Sequence, residues 1–365
     1  MKIRLGLLDN NQKYVSKLLA YFNNRYADDL EVYIFSNQEA FSQFIKNKQI
    51  DVLLAAPELA AQGTAFPKSI SVGYLADSAD IDTIYGVEAV CRYQKADLIY
   101  KEIVNLYAEL DKKYTYKSGK QDTHMLAFFG ASGGVGTTTA AICCAEALAF
   151  AGKSVLYLNL EQNGVSGSYL SGEGTMTMTD VLYAVKSKYV ETGDADAVKA
   201  RKANLGLKFS SIVRRDESGV YFFEPFAVLL DALSLKKDDI LEIVKVLTES
   251  GIYEHIVLDL GSYLDGWRKE LLSDSERIFI VSSGTEISNS KLLRLINAIE
   301  IEDSQKDTRV LSKVNIFYNR FGSDSADAIC AQDIPVFTRV QNYKGGSTDE
   351  IMREIASTGG FRELL

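Results

Sequence analysis

The sequence predicts an α/β protein of two doubly wound domains, and three observations carry that reading. Short apolar runs of strand length alternate with amphipathic stretches of helical period through most of the chain, the pattern of parallel sheets covered by helices. The alternation breaks at residues 111–124, DKKYTYKSGKQDTH, a polar and basic stretch with no apolar period that reads as a linker. A length of 365 residues also exceeds one compact unit at roughly 100–200 residues per domain. The expected division is a domain over 1–112, a linker over 113–123 and a second domain over 124–365.

In the first domain, 3–8 reads as a strand. Val15, Leu18, Leu19 and Phe22 then fall at helical spacing, and 30–35 alternates as a second strand. Ser36 is the expected cap of a helix holding Phe41, Phe44 and Ile45. Residues 51–55 and 69–75 supply further strands. A helix over 96–110, apolar at Leu98, Ile99, Ile103, Leu106 and Tyr107, closes a flavodoxin-like order. In the second domain, strands are expected at 125–129, 155–160, 256–260, 278–281, 314–318 and 334–340. The charged stretch 186–219 has the weakest pattern and reads as a surface excursion.

Composition narrows the function. No apolar run reaches the roughly 18–20 residues that span a bilayer, and no secretory leader is read at the start, so direct membrane insertion is not expected. The cysteines, Cys91, Cys143, Cys144 and Cys330, form no CxxC pair, and a reducing cytoplasm is the default. Cys143 and Cys144 read as small packing residues. His124 and His255, the only two histidines, are too few for a His-based zinc centre or triad and read as incidental. A net charge of −9 argues against a body coated for nucleic acid, and no specific nucleic-acid partner is expected. Lys199, Arg201, Lys202, Arg214 and Arg215 are the candidate basic residues, read as solvated surface.

The sharpest feature is Gly130-Ala131-Ser132-Gly133-Gly134-Val135-Gly136-Thr137-Thr138-Thr139, placed between a strand and a helix expected over 138–151 that stops at Gly152. Phosphate binding needs this composition. Glycines let the backbone wrap closely around phosphate oxygens, and the helix start offers unpaired N–H groups and the positive end of its dipole. Thr138 then stands where a hydroxyl can meet Mg2+, against the alternative of a Gly-rich turn with a capped helix.

SGGVGTTT resembles the deviant Walker A sequence KGGVGKTT of the ParA/MinD superfamily. VLYLNLE at 155–161 resembles that family's switch strand, and HIVLDLG at 255–261 its Walker B strand. Asn319-Arg320 matches the pair that the family uses near the adenine, so the resemblance runs from 123 to about 360. It implies ATP and Mg2+ as cofactors. The implied nucleotide-binding residues are Ser132, Gly133, Gly134, Val135, Gly136, Thr137, Thr138, Thr139, Asn319 and Arg320. The implied metal contacts are Thr138 and Asp259, with Asn159 a further candidate, and Glu161 is the candidate for positioning the attacking water. Two departures stand out: Ser132 replaces the signature lysine and Thr137 the Walker lysine. Positive charge against the transition state is the main lever in phosphoryl transfer, so ATP binding with slow or absent hydrolysis is expected. Arg268 and Arg294 are the candidates for a substitute cation.

The first domain resembles a response-regulator receiver. The acidic turn at Asp9 continues with Asn10 and Asn11, and Ala55-Ala56 stands where the phosphoacceptor aspartate would be. Cys91-Arg92-Tyr93-Gln94-Lys95 occupies the place of the usual Lys-Pro. Aspartyl phosphorylation is therefore not expected, and the domain reads as an interaction or dimerisation module. A degenerate receiver joined to an atypical P-loop domain resembles the TadZ/CpaE group of pilus-assembly proteins. This resemblance implies a cytoplasmic homodimer that works with the tight-adherence (Tad) secretion machinery at a cell pole or the inner face of the membrane. The alternative is an active MinD- or ParA-like switch that positions a membrane- or DNA-associated cargo. The mixed-charge end IMREIASTGGFRELL does not favour membrane cycling. The 20 tyrosines are scattered, with only Tyr343 near the end, unlike the C-terminal cluster of related bacterial tyrosine kinases. Trp267, shortly after the Walker B strand, reads as packing.

Overall fold

The computed structural model describes residues 2–60, 66–67, 69–108, 110, 122–161, 164, 168–174, 176–187, 195–306, 308–322, 334–343, 348–357 and 360–364. Of the expected linker, 113–121 lies outside the described residues, as do Cys330 and the side chains of Lys199, Arg201 and Lys202. The chain divides into two compact units: 1–117 together with 190–212, and 118–189 together with 213–365.

The first unit holds a sheet of β1 (Ile3–Leu8), β2 (Leu30–Phe35), β3 (Val52–Ala55), β4 (Ser71–Ala76), β5 (Thr83–Ile84) and β6 (Val87–Cys91), in the order β2-β1-β3-β4-β6-β5. All pairings are parallel except β5–β6. That is the expected flavodoxin-like order with a hairpin added at one edge. Tyr85 and Gly86 turn the hairpin, both at positive φ, the backbone that a two-residue primed turn requires. The two-residue period of the strands sorts side chains to opposite faces. Leu5, Leu7, Val52 and Leu54 pack in the cluster that includes α1 (Gln12–Arg25) and α3 (Ala96–Ala108), whereas Leu8, Leu53 and Ala55 pack with Phe41 of α2 (Gln38–Phe44). The cap of α2 is Asn37, not Ser36: Asn37 Oδ1 accepts from the Ala40 N–H at 2.9 Å.

The stretch 186–219 differs from expectation. It contains α6 (Ala195–Ile212), which belongs to the first unit and packs beside α3, with Leu207 in the same apolar cluster as Ile103 and Leu106. Leu205, Phe209 and Ile212 are also buried. At roughly 1.5–3 kcal/mol per fully buried large apolar side chain, these residues make α6 integral to the unit and not a solvated excursion.

The second unit is built on an eight-stranded sheet. Its strands are β7 (His124–Gly130), β8 (Val155–Asn159), β9 (Arg214–Arg215), β10 (Tyr221–Phe222), β11 (His255–Asp259), β12 (Arg277–Ser282), β13 (Val314–Phe321) and β14 (Val336–Gln341). They lie in the order β14-β13-β12-β7-β11-β8-β10-β9, parallel throughout except for the β9–β10 hairpin. Its helices are α4 (Thr137–Phe150), α5 (Met178–Ser187), α7 (Leu229–Leu233), α8 (Lys237–Ser250), α9 (Gly266–Asp274), α10 (Glu286–Lys306) and α11 (Thr348–Ser357). Ala140, Ala141, Cys143, Cys144, Ala145 and Leu148 are all buried, so α4 sits against the sheet with small side chains; Met352 and Ile355 of α11 pack in the same cluster. Burial holds the Cys143 and Cys144 thiols well above the usual thiol range, so neither is a reactive thiolate.

Candidate functional site

The centre of the sheet places the glycine loop. β7 lies between β11 and β12; the connection from β7 runs to β8 on one side and that from β12 runs to β13 on the other, the topology at which α/β sheets open a crevice beyond their carboxyl ends. Neighbouring strands on both sides fasten the start of the turn: Gly130 N–H donates to Gly261 O at 2.7 Å and Ala131 N–H to Val281 O at 2.9 Å. Gly134 (φ 77°) and Gly136 (φ 89°) occupy left-handed backbone, where any other residue is strained. Gly136 is the N-cap of α4 and no side chain caps it. The first helical residue is Thr137, one earlier than expected, and the N–H groups of the helix start have no side-chain cap, the arrangement that suits an anion.

Asn319 closes the loop from β13. Its side-chain amide, 4% exposed, donates to Val135 O at 3.0 Å, and a Cβ at Gly136 would run into the same Nδ2 atom. The loop and its strap thus require glycine at 136 and a flat side chain at 319. Arg320 is exposed at φ 57°. Thr137 is buried, and its hydroxyl lies close to the Cβ position of Gly130, so its side chain turns back onto the strand end. Ser132 and Thr139 are partly exposed along the loop, Gly133 and Gly134 are exposed, and Val135 is in the core.

Asp259, completely buried, is the acidic centre of the site. Burial pushes its carboxyl up, opposed by hydrogen bonds from the Thr138 hydroxyl, the Tyr157 hydroxyl and the Gly261 N–H. The Tyr157 bond is 2.9 Å and that of Gly261 3.3 Å. Tyr157 was not legible as a site residue, because in VLYLN it looks like one more apolar strand position; its phenol is driven up by burial and by Asp259. Thr138 and Asp259 therefore meet through a side-chain hydrogen bond. Asn159 is turned toward its own chain: Oδ1 accepts from the Glu161 N–H at 2.9 Å. Glu161 stands beside Gly261, its carboxyl raised by partial burial and by Asp259 and lowered by Arg268.

Arg268 is 6% exposed and already engaged. It donates through Nε to Leu260 O at 2.8 Å and through Nη2 to Leu160 O at 3.3 Å, and it pairs with Asp265 at 2.6 Å. Arg294 is exposed on α10. Arg214 is committed to Glu224 at 2.7 Å and to the carbonyls of Gly172 and Met176, which removes it from any basic patch. His124 and His255 pair in register at the start of β7 and β11, the opposite end of the strands from the loop.

The residues present fit a Mg2+–nucleotide. An uncapped helix start with positive-φ glycines suits phosphates, and a threonine hydroxyl bonded to a buried carboxylate suits a hard cation that keeps most of its waters. Among the described residues no group of three or more His, Cys, Asp or Glu side chains could cage a metal without a ligand. Also among the described residues, no helix is long and apolar enough to cross a membrane.

Comparison with known proteins adds the following. Residues 1–108 match the family described as "TadZ-like, receiver domain". No curated protein matches the chain. Similar solved structures include a ParA family ATPase from Chlorobium tepidum TLS, at 16% identity over 66% of this chain and 90% of that one, with a TM-score of 0.44. The cell division ATPase MinD of Pyrococcus furiosus is similar at 13% identity over 66% and 99%, TM-score 0.45. Cobyrinic acid a,c-diamide synthase from Mycobacterium smegmatis, with bound ADP and magnesium, is similar at 17% over 64% and 92%, TM-score 0.43.

Proposed function

Taking the TadZ-like receiver domain of residues 1–108 as premise, we propose that this chain is a cytoplasmic ATP-binding scaffold. It localises or assembles the Tad pilus secretion machinery and hydrolyses ATP slowly or not at all. The observation that carries the reading is the hydrogen bond of Thr138 to the buried Asp259 beneath the uncapped start of α4. In this reading the N–H groups of 132–139 hold the phosphates, and Thr138 and Asp259 hold Mg2+, directly or through its waters. Asn319 keeps the loop in its binding shape. Magnesium supplies charge neutralisation on the phosphates when bound.

Turnover is limited by charge. Ser132 and Thr137 carry none, and Arg268 spends its donors on Asp265 and two carbonyls, leaving little positive charge for a phosphoryl transition state. Ground-state binding depends on the backbone cradle and loses less. The receiver-like unit, with Ala55-Ala56 buried where a phosphoacceptor would stand, then serves as a partner or dimerisation surface, and the working form is a homodimer recruited to a pole or the inner face of the membrane.

Equilibrium binding of ATP and ADP with and without Mg2+, single-turnover hydrolysis and sedimentation on one sample test the proposal. Mg2+-dependent ATP binding without turnover, in a dimer, is the expected result. Rapid hydrolysis would replace the scaffold with a cycling switch, and no binding would remove nucleotide from the function.

A further inference from the structure

Arg268 joins two segments that the chain keeps about a hundred residues apart. Asn159 of β8 and Asp259 of β11 are register partners, and the ladder ends just beyond them with Leu160 N–H donating to Asp259 O at 2.9 Å. Among the described residues no backbone N–H donates to the carbonyls of the next residues, Leu160 and Leu260, beyond the ladder. The planar fork of Arg268 bonds both at once. Its third arm pairs with Asp265, which in turn caps α9 by accepting from the Arg268 N–H at 3.2 Å. The guanidinium Cζ lies over the ring of Trp267, the only tryptophan in the chain, 3.9 Å from its centroid.

The residues that follow the bridged carbonyls are Glu161 and Gly261, which lie side by side: a Cβ at 261 would come against the Glu161 side chain. Beside them is a cavity of about 340 Å3 whose lining includes Glu161, Tyr263, Trp267, Arg268, Phe226 and Leu233. Trp267 and Arg268 both line this space. Glu161 and Asp265 both attract the Arg268 guanidinium, so a change of charge near Glu161 alters the balance between them.

We propose that Arg268 is a positioning residue that couples the segment after β8 to the segment after β11, and that the stacked Trp267 senses which nucleotide occupies the loop. The inference rests on the nucleotide-binding reading above. Additional negative charge at the outer-phosphate position acts on Glu161 and Gly261. Because one side chain holds both carbonyls, the two segments respond together and the stacking on Trp267 changes.

The test uses the full-length protein, with equilibrium dialysis of ATP and ADP in Mg2+ run beside Trp267 fluorescence. ATP is expected to change the emission more than ADP does. Arg268→Lys keeps the charge and loses the fork; it is expected to bind nucleotide, to lose the difference in emission, and to change the ATP/ADP affinity ratio by about 5-fold or more. Arg268→Ala is the second variant, and Trp267→Phe supplies the spectroscopic blank. Nucleotide that binds with identical emission for ATP, ADP and the free protein would overturn the proposal. So would an Arg268→Lys protein that folds with an unchanged ATP/ADP ratio. Dialysis showing no binding would instead sink the nucleotide reading, and this inference with it.

Discussion

Arg92 and Asp9 face each other inside the N-terminal unit, with Nη1 of the guanidinium 3.4 Å from Oδ2 of the carboxylate and both side chains more than nine-tenths buried. Arg92 also reaches the exposed Asp77 at 2.9 Å and the Leu75 carbonyl at 3.4 Å. A receiver-like acidic turn is thus neutralised by a cation of its own chain.

Removing that cation strands a buried charge. Arg92→Met is expected to cost about 3 kcal/mol or more, as is usual when one partner of a buried pair is deleted. Arg92→Met/Asp9→Asn should recover most of the loss. Urea denaturation of the full chain checks both, and equal stability of the single and double variants would contradict the pairing.

Gly136→Ala adds a Cβ both at φ 89° and against Asn319 Nδ2. It is expected to cost about 1–2 kcal/mol for the backbone alone, with a further steric term, and to abolish ATP binding. Asn319→Ala in the same chain relieves the contact but not the backbone strain. Thermal unfolding should therefore recover in part and nucleotide binding should not.

How much of this was legible differs by residue. The strand, loop and helix over 124–150 follow from spacing, because glycine and apolar periodicity are local signals. Asp259 came into view by another route, the resemblance of HIVLDLG to a Walker B strand, and its hydrogen bond with Thr138 is a product of the fold. The edge hairpin was hidden because its turn is Tyr85-Gly86, and the signal expected there is Asn or Asp before Gly. The partnership of α6 was hidden for another reason. Its later half is buried at Asn204, Leu205, Leu207, Phe209, Ser211 and Ile212, a set too wide to make one helical stripe and mixed with polar residues. Tyr157 and Arg268 act through atoms whose direction only tertiary packing sets.

The seam of α3 and α6 should respond to pH. Burial first, and then Glu88, push the Glu102 carboxyl up to about 7, while Lys208 and Asn105 oppose them. Glu88 stands on β6, Asn105 on α3 and Lys208 on α6. Lys208 bonds Asn105, and Asn105 Nδ2 donates to Glu88 at 3.2 Å. A folded value above the unfolded one means that the native state holds the proton more tightly. The stabilisation is full below about 4.5, is lost as pH rises through about 7, and amounts to about 3 kcal/mol at most. Hydrogen exchange of 204–212 at pH 5.5 and 8 should show this loss, and Glu102→Gln should flatten it.

Tyr157→Phe removes one of the donors that offset the burial of Asp259. The carboxyl should move further up, and because Mg2+ needs it ionised, Mg2+-dependent nucleotide binding should weaken by about 10-fold. In both proteins binding falls as pH is lowered, and in the variant the fall should begin at higher pH. Superimposable pH profiles would mean that Tyr157 does not support the carboxylate.

The backbone passes between the two units at 117–118, 189–190 and 212–213, so α6 is encoded inside one unit and housed in the other. A protease that nicks the chain within 113–123 would leave the fragment 1–112 still gripping α6, which remains covalently joined to everything downstream. The nicked protein should elute as one species and part only in denaturant. A graft of 1–112 onto a foreign protein would likewise leave Leu207 and Lys208 behind. Modularity in this chain is spatial and not sequential: a transplantable first unit needs 190–212 supplied with it.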